Sequence, residues 1–85
     1  MREYDHVVVN ELGMHARPAG QFVRLAREHQ SKIEICKGAE AVNAVRILAV
    51  MGMNIRQGDQ IRITVEGADE DQVLPEVQRI CRENL

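Results

Sequence analysis

Aromatic side chains are nearly missing from this 85-residue chain: Tyr4 and Phe22 stand alone, and there is no tryptophan. A surface that stacks nucleic-acid bases needs such rings, so no base-stacking platform is expected. Charge of one sign is not in excess either. The net charge is -2, which gives no field to draw the chain to nucleic acid or an anionic membrane. Long hydrophobic runs are lacking: the longest, Ile47 to Met51, falls far short of the ~20 residues of a membrane span. The opening residues Met1-Arg2-Glu3-Tyr4-Asp5 carry no apolar stretch of the kind a signal peptide has. These absences predict a cytoplasmic protein with no membrane insertion and no nucleic-acid partner.

Cysteine is equally sparse. Cys36 and Cys81 lie far apart, and no Cys-x-x-Cys pair or His/Cys cluster accompanies them, so no metal site is expected. In a reducing compartment they read as free thiols packed as small apolar groups. No Gly-x-x-x-x-Gly-Lys occurs, which removes the usual phosphate-cradling nucleotide loop. No cofactor is expected. With few aromatics, Ile, Val, Leu, Met and Ala must build the core, and residues 1–85 are expected to form one domain.

The patterning of what is present gives the elements. Tyr4 to Val9 is valine-rich and reads as a strand, followed by an Asn10–Met14 loop containing Gly13. From Ala16 to about His29 the spacing of Ala19, Phe22, Val23, Leu25 and Ala26 places apolar side chains on one helical face. Lys32 to Lys37 alternates as a half-buried strand, and a turn over residues 37–40 leads to a return strand at Ala41–Asn43. Arg46 to Met53 is short and apolar. Helix is favoured there because Asn54 accepts the left-handed conformation that ends helices. Gln60 to Glu66 alternates cleanly as a strand. Asp69 is a plausible N-cap for a last helix. Pro75 leaves two readings of it: a helix from near Glu70 that kinks at the proline inside it, or one that begins near Leu74 with Pro75 at its first position. The order β-α-β-β-α-β-α predicts an α+β two-layer fold, an antiparallel or mixed sheet with helices on one face.

One segment carries chemistry: Gly13-Met14-His15-Ala16-Arg17-Pro18-Ala19. Proline is tolerated only in the first helical turn, where its missing N–H costs little, so the helix should start near His15 or Ala16. The free N–H groups of Ala16 and Arg17 then point outward at the positive end of the helix dipole, a ready site for an anion. Arg17 adds a fork of donors suited to phosphate oxygens. An uncharged imidazole at His15, beside such an anion site, is the equipment for phosphoryl transfer through histidine. The bland alternative is a polar residue at a helix start with no task.

The run Leu12-Gly13-Met14-His15-Ala16-Arg17-Pro18-Ala19 resembles the active-site signature of HPr, the histidine-containing phosphocarrier of the bacterial phosphoenolpyruvate-dependent phosphotransferase system. The likeness extends over nearly the whole chain, through Val42-Asn43, the apolar run after it, Gly58 and Glu66-Gly67-Ala68-Asp69-Glu70. It implies an open-faced β-sandwich: a four-stranded antiparallel sheet covered by three helices. It implies phosphorylation of His15 on Nδ1 by enzyme I at the expense of phosphoenolpyruvate, and transfer onward to enzyme IIA-type acceptors in sugar uptake. Arg17 would hold the phosphoryl oxygens. Gly20 on the first helix and Ile47, Leu48 and Met51 on the second match the family's docking positions. Arg24 and Arg27 can either ring that surface for an acidic partner or sit on a solvated helix face. The chain would be a cosubstrate of other enzymes, not a catalyst, and a monomer.

One position departs from the family. Gram-positive members carry a regulatory serine at the start of the second helix, where this chain has Arg46 preceded by Val45. Ser31 is the only serine, in an expected turn. Serine control at the second helix is therefore not expected. The Leu12 and Met14 pair is similar to the nitrogen-related branch, so a regulatory or nitrogen-related paralogue with the same His15 chemistry is the alternative to sugar uptake. A docking module with no phosphoryl chemistry is a further alternative. It gives no reason for His and Arg at a helix start.

Overall fold

The alternation of Ile61, Ile63 and Val65 with Arg62, Thr64 and Glu66 needs a sheet with one wet face, and the structure, a computed structural model describing residues 1–85, supplies it. The elements are β1 (Arg2–Val7), α1 (Ala16–Glu28), β2 (Lys32–Lys37), β3 (Glu40–Asn43), α2 (Ile47–Gly52), β4 (Gln60–Glu66) and α3 (Glu70–Asn84). The four strands form one antiparallel sheet in the order β1-β4-β2-β3. β4 sits between β1 and β2, with Ile63 opposite both Tyr4 and Ile35. Ile33, Ile35, Ile61, Ile63 and Val65 are buried on the face that receives the helices, as strand periodicity requires. The architecture is an α+β open-faced sandwich.

Phe22 is the one aromatic ring among the buried core side chains. This ring is fully buried on α1 amid a cluster that includes Ala19, Leu25 and Ala26 from the same helix and Val73, Val77, Ile80 and Cys81 from α3. Truncating a buried phenylalanine costs about 3–5 kcal/mol, so Phe22 contributes substantially to the contact between the layers. No helix is long and apolar enough to cross a membrane.

Several boundaries differ from the sequence pattern, each for a local reason. β1 covers Arg2–Val7 rather than Tyr4–Val9. Val8 and Val9 leave the strand pairing: the Val8 N–H donates to the Asp59 carbonyl at 2.9 Å, while the N–H groups of Val9 and Asn10 turn to the Leu85 carbonyl. β3 starts one residue early, at Glu40. α2 is helical, and Asn54 after it has φ +57°, the left-handed conformation expected of it. α3 starts at Glu70 and runs through Pro75. The proline gives up the N–H that would reach the Asp71 carbonyl, at an exposed position. Asp69 does precede α3, but its carboxylate makes no cap hydrogen bond. It accepts instead from the Gln30 N–H at 3.0 Å, from the Ser31 N–H at 2.9 Å and from the Ser31 hydroxyl. A contact 38 residues away in sequence thus outcompetes the local cap.

Candidate functional site

The helix that follows His15 begins where proline dictates. α1 starts at Ala16, so Pro18 is its third residue, where no N–H has an intrahelical partner to lose. His15 is the residue just before the helix, in extended conformation with φ −111° and ψ −175°. Its carbonyl accepts the first helical bond, from the Ala19 N–H at 3.1 Å. The N–H groups of Ala16 and Arg17 donate to no group of the chain. Two unfilled donors therefore stand at the positive end of a 13-residue helix, beside the imidazole.

The loop that delivers His15 is pinned at both ends. Gly13 has φ +62°, and a Cβ there would overlap the Ile55 carbonyl oxygen and sit 2.9 Å from the Arg56 Cα. Only glycine allows both the conformation and the approach. The buried Met14 then donates its N–H to the Ile55 carbonyl at 3.0 Å. The turn under it is braced in its own right. Lys37 Nζ donates to the Asn54 carbonyl at 2.9 Å and pairs with Asp59 at 2.9 Å, and the Arg56 N–H donates to Asp59 Oδ2 at 2.8 Å. These bonds hold the Asp59 carboxyl below its ordinary range, the Arg56 N–H bond first and the Lys37 bond second.

The three histidines are not equivalent. His29 Nδ1 lies 2.9 Å from the Leu25 carbonyl, and His6 Nε2 is buried without a partner. The His15 ring makes no hydrogen bond that caps the helix, and neither of its nitrogens is among the buried, partnerless atoms. Of the three, it alone presents an unengaged imidazole at a helix start.

The structure brings Arg17, Gly20 and Arg24 together with Gln21 around a shallow depression of about 280 Å³. Arg27 is exposed on the same helix but is not one of its walls. The second helix lies against α1. Val50 turns into the core, while Ile47, Leu48 and Met51 stay out, 38%, 83% and 40% exposed. This six-residue helix therefore leaves three large apolar side chains at least partly in water. Arg17, Arg24, Arg27 and Arg46 form no ion pair, whereas Arg2, Arg62 and Arg79 are all committed to carboxylates. Sequence reasoning did not single out Gln21, nor Asn10 and Asn84, which meet through contacts more than 60 residues apart. No local pattern marks such pairs. The uncovered face of the sheet carries a separate depression with Asp5, Cys36 and Arg62. Its one nucleophile, the Cys36 thiol, is pushed up by burial first and by Glu34 second, away from the reactive thiolate.

An unengaged imidazole beside two unfilled N–H donors at a helix start is an arrangement that can receive an anionic group. A family model described as "PTS HPr component phosphorylation site" matches residues 3–83. The chain is 40% identical over 83 residues to phosphocarrier protein HPr of Lysinibacillus sphaericus, covering 98% of this chain and 94% of that one. It is 38% identical over 73 residues to phosphocarrier protein HPr of Treponema pallidum, covering 86% and 83%. Among solved structures, the histidine-containing phosphocarrier protein of a mycoplasma superimposes with a TM-score of 0.88 at 29% identity, over 93% of this chain and 90% of that one. The chain belongs to the HPr family, phosphocarriers of the phosphotransferase system.

Proposed function

We propose that residues 1–85 act as one cytoplasmic carrier unit, monomeric, in which His15 takes a phosphoryl group from enzyme I and gives it to enzyme IIA-type acceptors in sugar uptake. The observation that carries this reading is the unengaged His15 imidazole beside the unfilled N–H donors of Ala16 and Arg17. His15 Nδ1 attacks phosphorus as the bond from phosphorus to the donor's leaving group breaks, and the reverse exchange at the acceptor returns the ring to its starting state. The protein's contribution is position and charge. The Ala16 and Arg17 N–H groups and the Arg17 guanidinium meet the transferring oxygens, and the α1 dipole favours the negative charge that arrives.

Partner contact falls to the exposed apolar side chains of Ile47, Leu48 and Met51, with Gly20 leaving open space beside α1. The unpaired guanidiniums of Arg24 and Arg27, together with Arg46, favour partners with acidic rims. The test is to incubate the protein with enzyme I, magnesium and phosphoenolpyruvate and to measure intact mass before and after mild acid. A gain of one phosphate that acid removes, absent in His15→Ala and drained by an enzyme IIA-type acceptor, is the expected result. Arg17→Ala should slow acceptance by about 10–100-fold, and Arg17→Lys should restore only part of the rate, because lysine supplies charge without the planar fork. A folded protein that gains no phosphate overturns the reading.

A further inference from the structure

The loop ahead of His15 is organised by one side chain. Asn10 commits every polar group it has. Its main-chain N–H donates to the Leu85 carbonyl at 3.1 Å and its carbonyl accepts from the Gly13 N–H at 3.0 Å. Its Oδ1 accepts from the Leu12 N–H at 2.7 Å, which closes an Asx turn. Its Nδ2 donates to the Asn84 carbonyl at 3.3 Å, on the last turn of α3. Asn84 in turn donates its own Nδ2 to Gln21 Oε1 at 2.9 Å, and Gln21 shares the depression beside Arg17, Gly20 and Arg24. The end of α3 therefore holds both flanks of His15: the incoming loop through Asn10 and the outgoing helix through Gln21.

We propose that Asn10 is a positioning residue for phosphoryl transfer, its Asx turn setting the path of residues 11–14 and hence the placement of the His15 ring over the N–H groups of Ala16 and Arg17. This rests on the reading of His15 as the phosphoryl acceptor. The Met14–Ile55 bond fixes the end of the loop but not its course, since only Asn10 engages the N–H groups of Leu12 and Gly13. In-line transfer tolerates little error: a misplacement of about 1 Å costs roughly 100-fold in rate. An acceptor oxygen two residues ahead of Leu12 is what asparagine and aspartate supply, serine more weakly and alanine not at all.

The experiment compares Asn10→Ala and Asn10→Asp with the unaltered protein in phosphoryl acceptance from enzyme I and phosphoenolpyruvate, over a range of carrier concentrations. Asn10→Ala should lower kcat by about tenfold and leave KM within about twofold, because it moves the nucleophile and not the apolar contact surface. Asn10→Asp keeps the turn to Leu12 and should recover kcat to within about threefold of the unaltered protein. Wild-type kcat in Asn10→Ala, a loss confined to KM, or an Asn10→Asp no better than Asn10→Ala overturns the proposal. Should Asn10→Ala not fold, Asn10→Ser replaces it and must give an intermediate kcat; a wild-type value there overturns the proposal too. If the unaltered protein takes no phosphate, it is the reading of His15 that fails, so the two failures are distinct.

Discussion

The main-chain N–H of Met14 donates to the carbonyl of Ile55 at 3.0 Å, so the residue before His15 is bonded to the turn that follows α2. The candidate nucleophile and the exposed helix beside it are thereby set in one frame. The Gly13 backbone makes room for this bond by approaching the Ile55 carbonyl more closely than any side chain would allow.

Gly13 is the position where that frame is easiest to break. Alanine there must hold φ +62° and intrude on the Ile55 carbonyl and the Arg56 Cα. The left-handed conformation alone costs a non-glycine residue about 1 kcal/mol, and the overlap adds to it. Gly13→Ala should lower stability by at least about 2 kcal/mol and reduce phosphoryl acceptance together with it. Thermal unfolding followed by circular dichroism checks the first part; an unchanged melting temperature contradicts it.

Leu48 offers the opposite case. It is 83% exposed, so replacement should leave the fold alone, since surface changes stay within about 0.5 kcal/mol. Leu48→Glu should instead raise the KM for enzyme I by about tenfold, as expected for an anchor at an interface core. Steady-state transfer at several carrier concentrations separates the two. A lowered melting temperature with KM unchanged would place Leu48 in the core instead.

Asp69 links stability to pH. The Ser31 hydroxyl first, then the Gln30 N–H, hold its carboxyl below its ordinary 3.8. A carboxylate depressed in the folded state contributes stability that is present above 3.8 and is lost as pH falls through the folded value. Asp69→Asn should therefore be less stable than the unaltered protein at about pH 6, and the gap should narrow progressively as pH falls below 3.8. Melting temperatures of both proteins across that range decide it; a gap that stays constant or widens in acid removes the assigned role.

The fold was legible where periodicity is strong. β4, β2 and the apolar stripe of α1 follow from alternation and from the spacing of Ala19, Phe22, Val23 and Ala26. The start of α1 was legible because Pro18 allows so few places. β1 was misplaced by two residues: Val8 and Val9 carry the composition of a strand, while their hydrogen bonds go to Asp59 and Leu85, far along the chain. Asp69 failed as a cap for the same kind of reason, since its partners, Gln30 and Ser31, come from the turn between α1 and β2. Within the site, His15 and Arg17 stand in a motif, whereas Asn10, Gln21 and Asn84 meet only in space.

The thiols give a check on the packing that is independent of function. Burial pushes the Cys81 thiol up to about 12, and its side chain is wholly enclosed between α3 and the core. Cys36 is half-buried on the uncovered sheet face. A thiol-specific disulfide reagent should titrate Cys36 in the native protein and Cys81 only in denaturant. Equal native rates at both would mean that α3 opens far more readily than its packing allows.

His15, and neither of the other two histidines, is the proposed carrier of the phosphoryl group. Nitrogen-15 imidazole spectra of the protein, recorded after phosphorylation by enzyme I and phosphoenolpyruvate, read this directly. Phosphorus coupling is expected at Nδ1 of His15, with the rings of His6 and His29 unchanged. Phosphate on His6 or His29, or no coupled imidazole in a folded and fully treated sample, would contradict it.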